Sequence, residues 1–145
     1  MLAQLRNLCL ITVGVFLAFS AGCGGGNKMV QVSGSVMVDG KPADGAALLF
    51  FPAADGSVAT ATCEADGKYK LVCDGKPGIP QGSYVVAIRW PDPAIKPTAA
   101  QKMTGLFDEG PDLLKGKYES KQKTTLKADI VASTSELPLF DLKSK

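Results

Sequence analysis

Histidine is missing from all 145 residues of this chain. Its absence excludes a Ser-His-Asp triad, a histidine general base and the commonest zinc ligand sets. Serines and threonines are present, but a hydroxyl nucleophile needs an activating base, and no Ser-Lys pattern supplies one. A surplus of charge is lacking too: 16 Lys and Arg stand against 14 Asp and Glu. That balance carries no footprint for nucleic acid, which needs basic residues clustered on one face. No apolar run reaches the roughly 20 residues of a transmembrane helix. The longest, Leu8 to Phe19, follows the single positive charge of Arg6. It has the layout of a secretory signal.

That run leads through Ser20-Ala21-Gly22 to Cys23, followed by Gly24-Gly25-Gly26 and the polar Asn27-Lys28. The arrangement resembles the signal peptide and lipobox of bacterial lipoproteins. In that family the cysteine becomes the N-terminus after cleavage and carries fatty acyl groups such as palmitate. Ala21 and Gly22 match the lipobox, while Ser20 stands where an aliphatic residue is usual. Two other readings share the same residues: ordinary cleavage near Ala21-Gly22, which leaves Cys23 a free thiol, and an uncleaved anchor. Lipidation at Cys23 implies an exported, membrane-anchored protein on the periplasmic or outer face of the cell envelope. One acyl chain holds a protein only marginally and several hold it stably. Gly24, where an Asp would signal inner-membrane retention by analogy with Gram-negative sorting, favours the outer membrane. The expected division is a signal peptide over 1–22, a Gly-rich tether over 23–29 and one domain over 30–142. Loss of Arg6 with the signal leaves 15 basic and 14 acidic residues. About 120 residues suffice for a single core.

The domain reads as all-β. Val30, Val32, Gly34, Val36 and Val38 alternate with polar residues and Met37, a period-2 strand. Asp39-Gly40-Lys41-Pro42 is a turn. Ala46 to Phe51 and Val58 to Glu64 are further strands, the latter entered through Asp55-Gly56. Glu64-Ala65-Asp66-Gly67-Lys68 is a hairpin signal in which Gly67 suits a left-handed position. Pairing Glu64 with Lys68 sets Cys63 opposite Tyr69 and Cys73 opposite Ala59, and points Ala59, Ala61, Cys63, Tyr69, Leu71 and Cys73 into the core. The two thiols are then about 13 Å apart along the ladder, beyond the reach of a disulfide. Cys63 and Cys73 are expected to be unpaired, buried and hydrophobic in character. A Gly- and Pro-rich loop over 75–82 precedes the strand from Ser83 to Trp90, with Tyr84, Val86, Ile88 and Trp90 on one face. A long loop spans 91–123, with a helical turn or two expected within Thr98 to Phe107 or Pro111 to Tyr118. Thr124 to Val131 and Leu137 to Leu142 complete seven short strands, the pattern of an antiparallel sandwich.

These segments together resemble a known class. Val32-Ser33-Gly34-Ser35-Val36, Asp39-Gly40-Lys41-Pro42, Ala46 and Phe50-Phe51-Pro52 resemble the opening of carboxypeptidase regulatory-like domains. Ala65-Asp66-Gly67-Lys68-Tyr69 with Leu71, and Gly82-Ser83-Tyr84-Val85-Val86, are similar to that family's hairpin and later strand entry. Leu114 to Ser120, Thr124-Thr125-Leu126 and Phe140-Asp141-Leu142 are similar to short planctomycete-type lipoproteins of the same class. The resemblance spans residues 30–142. It implies a seven-stranded antiparallel Greek-key sandwich of the transthyretin (prealbumin) type behind the signal helix. It further implies a non-catalytic structural or protein-interaction module, with no cofactor and with envelope proteins as partners. A hydrolase relative of this fold depends on histidines, so its activity does not carry over.

The alternative function is a carbohydrate-binding module that presents Trp90 and Tyr118 to glycans, with Arg89 and Tyr84 nearby. The parity of Tyr84 with Val86 and Ile88 directs it inward, and Tyr118 is expected to pack the long loop onto the sandwich. Asp39, Asp55 and Asp66 could offer carboxylates to calcium, but each precedes Gly in a different turn, where turn chemistry accounts for it. Asp108, Glu109 and Asp112 form the densest acidic group and read as a solvated loop. No metal site is expected.

Overall fold

The computed structural model describes residues 28–105 and 109–145. The expected signal helix and Cys23 lie outside these residues. The described chain is mostly β, in short strands. They are β1 (Met29–Val30), β2 (Ser33–Val38), β3 (Lys41–Pro42), β4 (Ala47–Pro52), β5 (Ala59–Thr62) and β6 (Lys68–Lys70). There follow β7 (Val72–Cys73), β8 (Lys76–Pro77), β9 (Ile79–Pro80), β10 (Gly82–Arg89), the helix α1 (Ala99–Thr104), β11 (Lys127–Ile130) and β12 (Phe140–Leu142).

Two sheets enclose the core. The larger is antiparallel and runs β11-β10-β4-β5-β7-β8. Its centre is the pairing of β10 with β4, which sets Phe50 opposite Val86 and Leu48 opposite Ile88, all four fully buried. The smaller runs β12-β2-β3, with β6 also on β2. Val32, Gly34, Val36 and Val38 face inward in strict alternation, as one buried sheet face requires. A ribbon of β1 and β9 joins Met29 to Pro80 and Val30 to Ile79. Among the described residues, every member of the core cluster lies between Val32 and Leu142.

Two Asp-Gly pairs build the same two-residue turn. Asp39 and Gly40 have φ of 49° and 79°, and Asp74 and Gly75 have 51° and 72°. Positive φ at both central residues defines the hairpin turn whose twist matches its strands, and Asp-Gly tolerates it best. The first turn joins β2 to β3, the second β7 to β8. The expected loop over 75–82 is therefore corrected: it holds β8 and β9.

The hairpin at Glu64–Lys68 forms as the turn signal predicts, but its middle leaves the sheet. Glu64 N donates to Lys68 O at 2.8 Å, and Ala59 pairs with Cys73. Between these points Tyr69 pairs with Gly34 of the other sheet, not with Cys63. The cause is space over a residue with no side chain: a Cβ on Gly34 would lie 2.5 Å from Tyr69 Cζ. The ring fills that space and meets Phe50 with centroids 6.3 Å apart. Leu71 N then donates to Val32 O at 3.1 Å, and the chain returns to β5.

The last strand is a second correction. β12 runs parallel to β2, with Phe140 opposite Val36 and Leu142 opposite Val38. β11 ends in the opposite sheet, so the chain crosses between sheets and enters beside β2 in the same direction. Ser33 N to Ser135 O (3.1 Å) and Leu137 N to Ser33 O (2.9 Å) guide the entry. Within the expected loop, α1 starts on a capping box in which Thr98 and Gln101 each receive the other's backbone N–H. Pro111 to Tyr118 forms turns without helix.

Candidate functional site

The long loop is fastened to the end of β10 by one carboxylate. Asp112 Oδ1 accepts from Trp90 N at 2.9 Å and Leu114 N at 3.1 Å, and Oδ2 accepts from Gly116 N at 2.7 Å. Leu113 N returns a bond to Trp90 O at 2.8 Å, and Leu114 becomes fully buried. Arg89 adds a second fastening through Glu109 Oε2 (3.2 Å) and Gly110 O (3.0 Å). Asp112 is thus the organiser of the loop. The acidic grouping with Glu109 is split between two tasks, and Asp108 lies outside the described residues. Pro111-Asp112 carried a signal for this, since Asp readily bonds backbone amides a few residues on.

Trp90 and Tyr118 are half-buried and pack against the core cluster. The Trp90 indole N–H donates to Asp44 O at 3.0 Å, which ties the β3–β4 connection to the end of β10. Ile88 N donates to Tyr118 O at 2.8 Å, and the Lys117 ammonium sits 5.3 Å from the Tyr118 ring centroid. Tyr84 is buried as its parity predicts, with its hydroxyl donated to Pro80 O at 2.8 Å. Beside Trp90 lies a recess of about 260 Å³, lined by Asp44, Pro91, Asp92, Pro93, Ile95 and Glu109 among others. Proline rings, Ile95 and carboxylates line it, without a nucleophile–base pair.

Cys63 and Cys73 are buried and free. Burial, with the Asp66 and Asp44 carboxylates nearby, pushes the Cys63 thiol up to about 12. Burial also raises Cys73, with Asp74 adding to it. Neither is a thiolate at neutral pH, so neither is a reactive nucleophile. The turn carboxylates act locally. The Ser144 hydroxyl and amide hold Asp39 below the usual carboxylate value. Asp66 is lowered by the Lys68 amide at 3.0 Å and the Lys68 ammonium at 3.1 Å. Asp55 is exposed in its own turn. Among the described residues no three His, Cys, Asp or Glu side chains gather closely enough to hold a metal ion.

No protein-family model matches this chain, and no curated protein matches it. Its residues alone therefore carry any functional reading. The first described residues, Lys28, Met29, Val30 and Gln31, lie beside Gln81 and the segment Ala132 to Ser135. No described helix is long and apolar enough to cross a membrane.

Proposed function

We propose that this chain is a non-catalytic, lipid-anchored cell-envelope protein whose β domain serves as a structural or protein-interaction module. One observation carries the reading: the 12-residue apolar run Leu8 to Phe19 leads through Ser20-Ala21-Gly22 to Cys23 and a triple glycine, with Cys23 six residues before the first strand at Met29. A segment so short and so bounded suits export and cleavage, not spanning. Lipidated Cys23 then holds the domain outside the cytoplasm, on the outer membrane in preference to the inner, since Gly24 follows the cysteine.

The finer fold belongs to the same proposal: a seven-stranded Greek-key sandwich of the carboxypeptidase regulatory-like, transthyretin-like class. In its support, β2 pairs with β6 and β12 and with no part of β4, so the chain passes repeatedly between sheets. Thiols held in their neutral form and a histidine-free sequence favour binding over catalysis. The recess beside Trp90 and the strapped loop behind it offer a surface on which a partner could bind. The glycan alternative would use the faces of Trp90 and Tyr118, which pack against the protein's own core.

The test is Cys23→Ser in the producing cell, followed in membrane and soluble fractions with a labelled fatty acid. Loss of the label, and of membrane retention once the membranes are washed in high salt, is expected. Retention with undiminished label would refute anchoring through Cys23.

A further inference from the structure

The charge that is balanced over the whole chain is not balanced along its surface. Between Lys115 and Lys127 stand five lysines and one acid, Glu119. All five lysines are exposed. Lys123 pairs with Glu119 at 3.4 Å, and Lys117 reaches the Lys145 carbonyl at 3.4 Å. No described Asp or Glu side chain lies within salt-bridge distance of Lys115, Lys117, Lys121 or Lys127.

Backbone bonds set this segment along one edge of the larger sheet. Tyr118 O and Leu126 O accept from Ile88 N and Val86 N of β10, and Lys127 pairs with Val85. The segment continues into β11, where the exposed Asp129 accepts from the Ser83 hydroxyl and adds an acid to this edge, and then into the turn Ala132 to Ser135. That turn is where the tether enters the fold. The lysine wall and the tether therefore share one edge of the domain. The opposite edge is different: its lysines, Lys41, Lys68, Lys70 and Lys76, are interspersed with Glu64, Asp66 and Asp74.

We propose that the Lys115–Lys127 wall docks on an anionic lipid bilayer. Charge complementarity and the position of the tether select this occupant. Cys23 and Met29 are six residues apart, a reach of about 20 Å at full extension. A domain so held can lay that shared edge along the bilayer, with the lysines beside Val85 to Ile88 at the end away from the tether. The docking geometry rests on the anchored reading above, whereas the attraction of the wall for anionic headgroups does not. Clustered lysines near such a surface gain about fivefold in partitioning each, and salt screens the effect.

The experiment uses residues 24–145, which hold every described residue of the core cluster and lack Cys23, with vesicles of phosphatidylcholine alone or with one third phosphatidylglycerol. Sedimentation with the anionic vesicles only, weakened by salt, is expected. The quadruple variant Lys115→Gln, Lys117→Gln, Lys121→Gln, Lys127→Gln should lose about fivefold per lysine. A control with Lys41→Gln, Lys70→Gln and Lys76→Gln should bind like the parent, and thermal melts should show both variants folded. Equal sedimentation with both vesicles, an unweakened quadruple variant, or an equal loss in the control would overturn the proposal. Abolition of binding by inorganic phosphate at constant ionic strength would overturn it in favour of a small-anion site. Acyl labelling at Cys23 is read separately, so a failure of anchoring and a failure of docking give different results.

Discussion

Tyr69→Phe should stabilise this protein, against the usual direction for a core substitution. The Tyr69 ring is 1% exposed, and its hydroxyl is a buried polar atom without a hydrogen-bond partner. The pairing that draws Tyr69 over Gly34 places the oxygen against a backbone with nothing to offer it. A buried, unsatisfied hydroxyl costs about 1–3 kcal/mol. Its removal leaves the ring and the Phe50 contact in place, and the void of one oxygen takes back a few tenths of a kcal/mol. A net gain of about 1 kcal/mol follows. With a urea m-value of about 1.5 kcal/mol per M for a domain of this size, the midpoint should rise by roughly 0.7 M at constant m. Equilibrium urea denaturation followed by Trp90 fluorescence measures it. Burial also raises the Tyr69 hydroxyl far above the ordinary phenol value, so the comparison at neutral pH involves the uncharged group alone. A loss of more than about 0.5 kcal/mol on substitution would refute the reasoning, because it would mean that the hydroxyl is satisfied in solution.

Three further outcomes are expected. Asp112→Ala strands three amides at the end of β10 and should cost about 1–3 kcal/mol, with a red shift of Trp90 emission; Asp112→Asn, which keeps one acceptor oxygen, should cost less. For Cys63 the folded pKa is raised above the unfolded value, so its contribution is full below about pH 9 and is lost as pH rises towards about 12. Mass spectrometry after iodoacetamide at pH 8 should accordingly show Cys63 and Cys73 unmodified in the folded domain and both modified in denaturant without reductant. For Asp39 the shift is the opposite, so its hold on Ser144 is present above the ordinary carboxylate value and is lost as pH falls through the lowered one. Hydrogen exchange at the Ser144 amide should quicken in Asp39→Asn at neutral pH.

Much of the fold was legible because one buried sheet face imposes a period of two. Val32 to Val38 and Tyr84 to Ile88 show this directly, and Gly67 fixed the register that sets Cys73 opposite Ala59. What stayed hidden depends on partners distant in the chain. Tyr69 has the same parity whichever sheet it joins, and only the bare backbone at Gly34 decides between them. β12 is too short to reveal its direction, and Pro77 disguised the second Asp-Gly hairpin as a loop. In the long loop, Asp112 looks solvated in sequence, since the amides that engage three of its four acceptor lone pairs are brought near only by the folded turn. The lysine wall escaped a reading of net charge for a simpler reason: a sum does not record position.

The parallel pairing of β2 with β12 has a consequence for the order of events. A chain synthesised from its N-terminus presents β2 early, yet that strand finds its last neighbour only when the final residues arrive. Asp39 and Ser144, which tie the two ends together, are 105 residues apart. Until then one side of Val36 and Val38 stays open, and an open β edge invites pairing with other chains. Closure of so distant a contact is slow compared with the local hairpins around it. The last few residues thus act as a clasp, and their loss would leave an unfinished sheet with its most apolar strand on display.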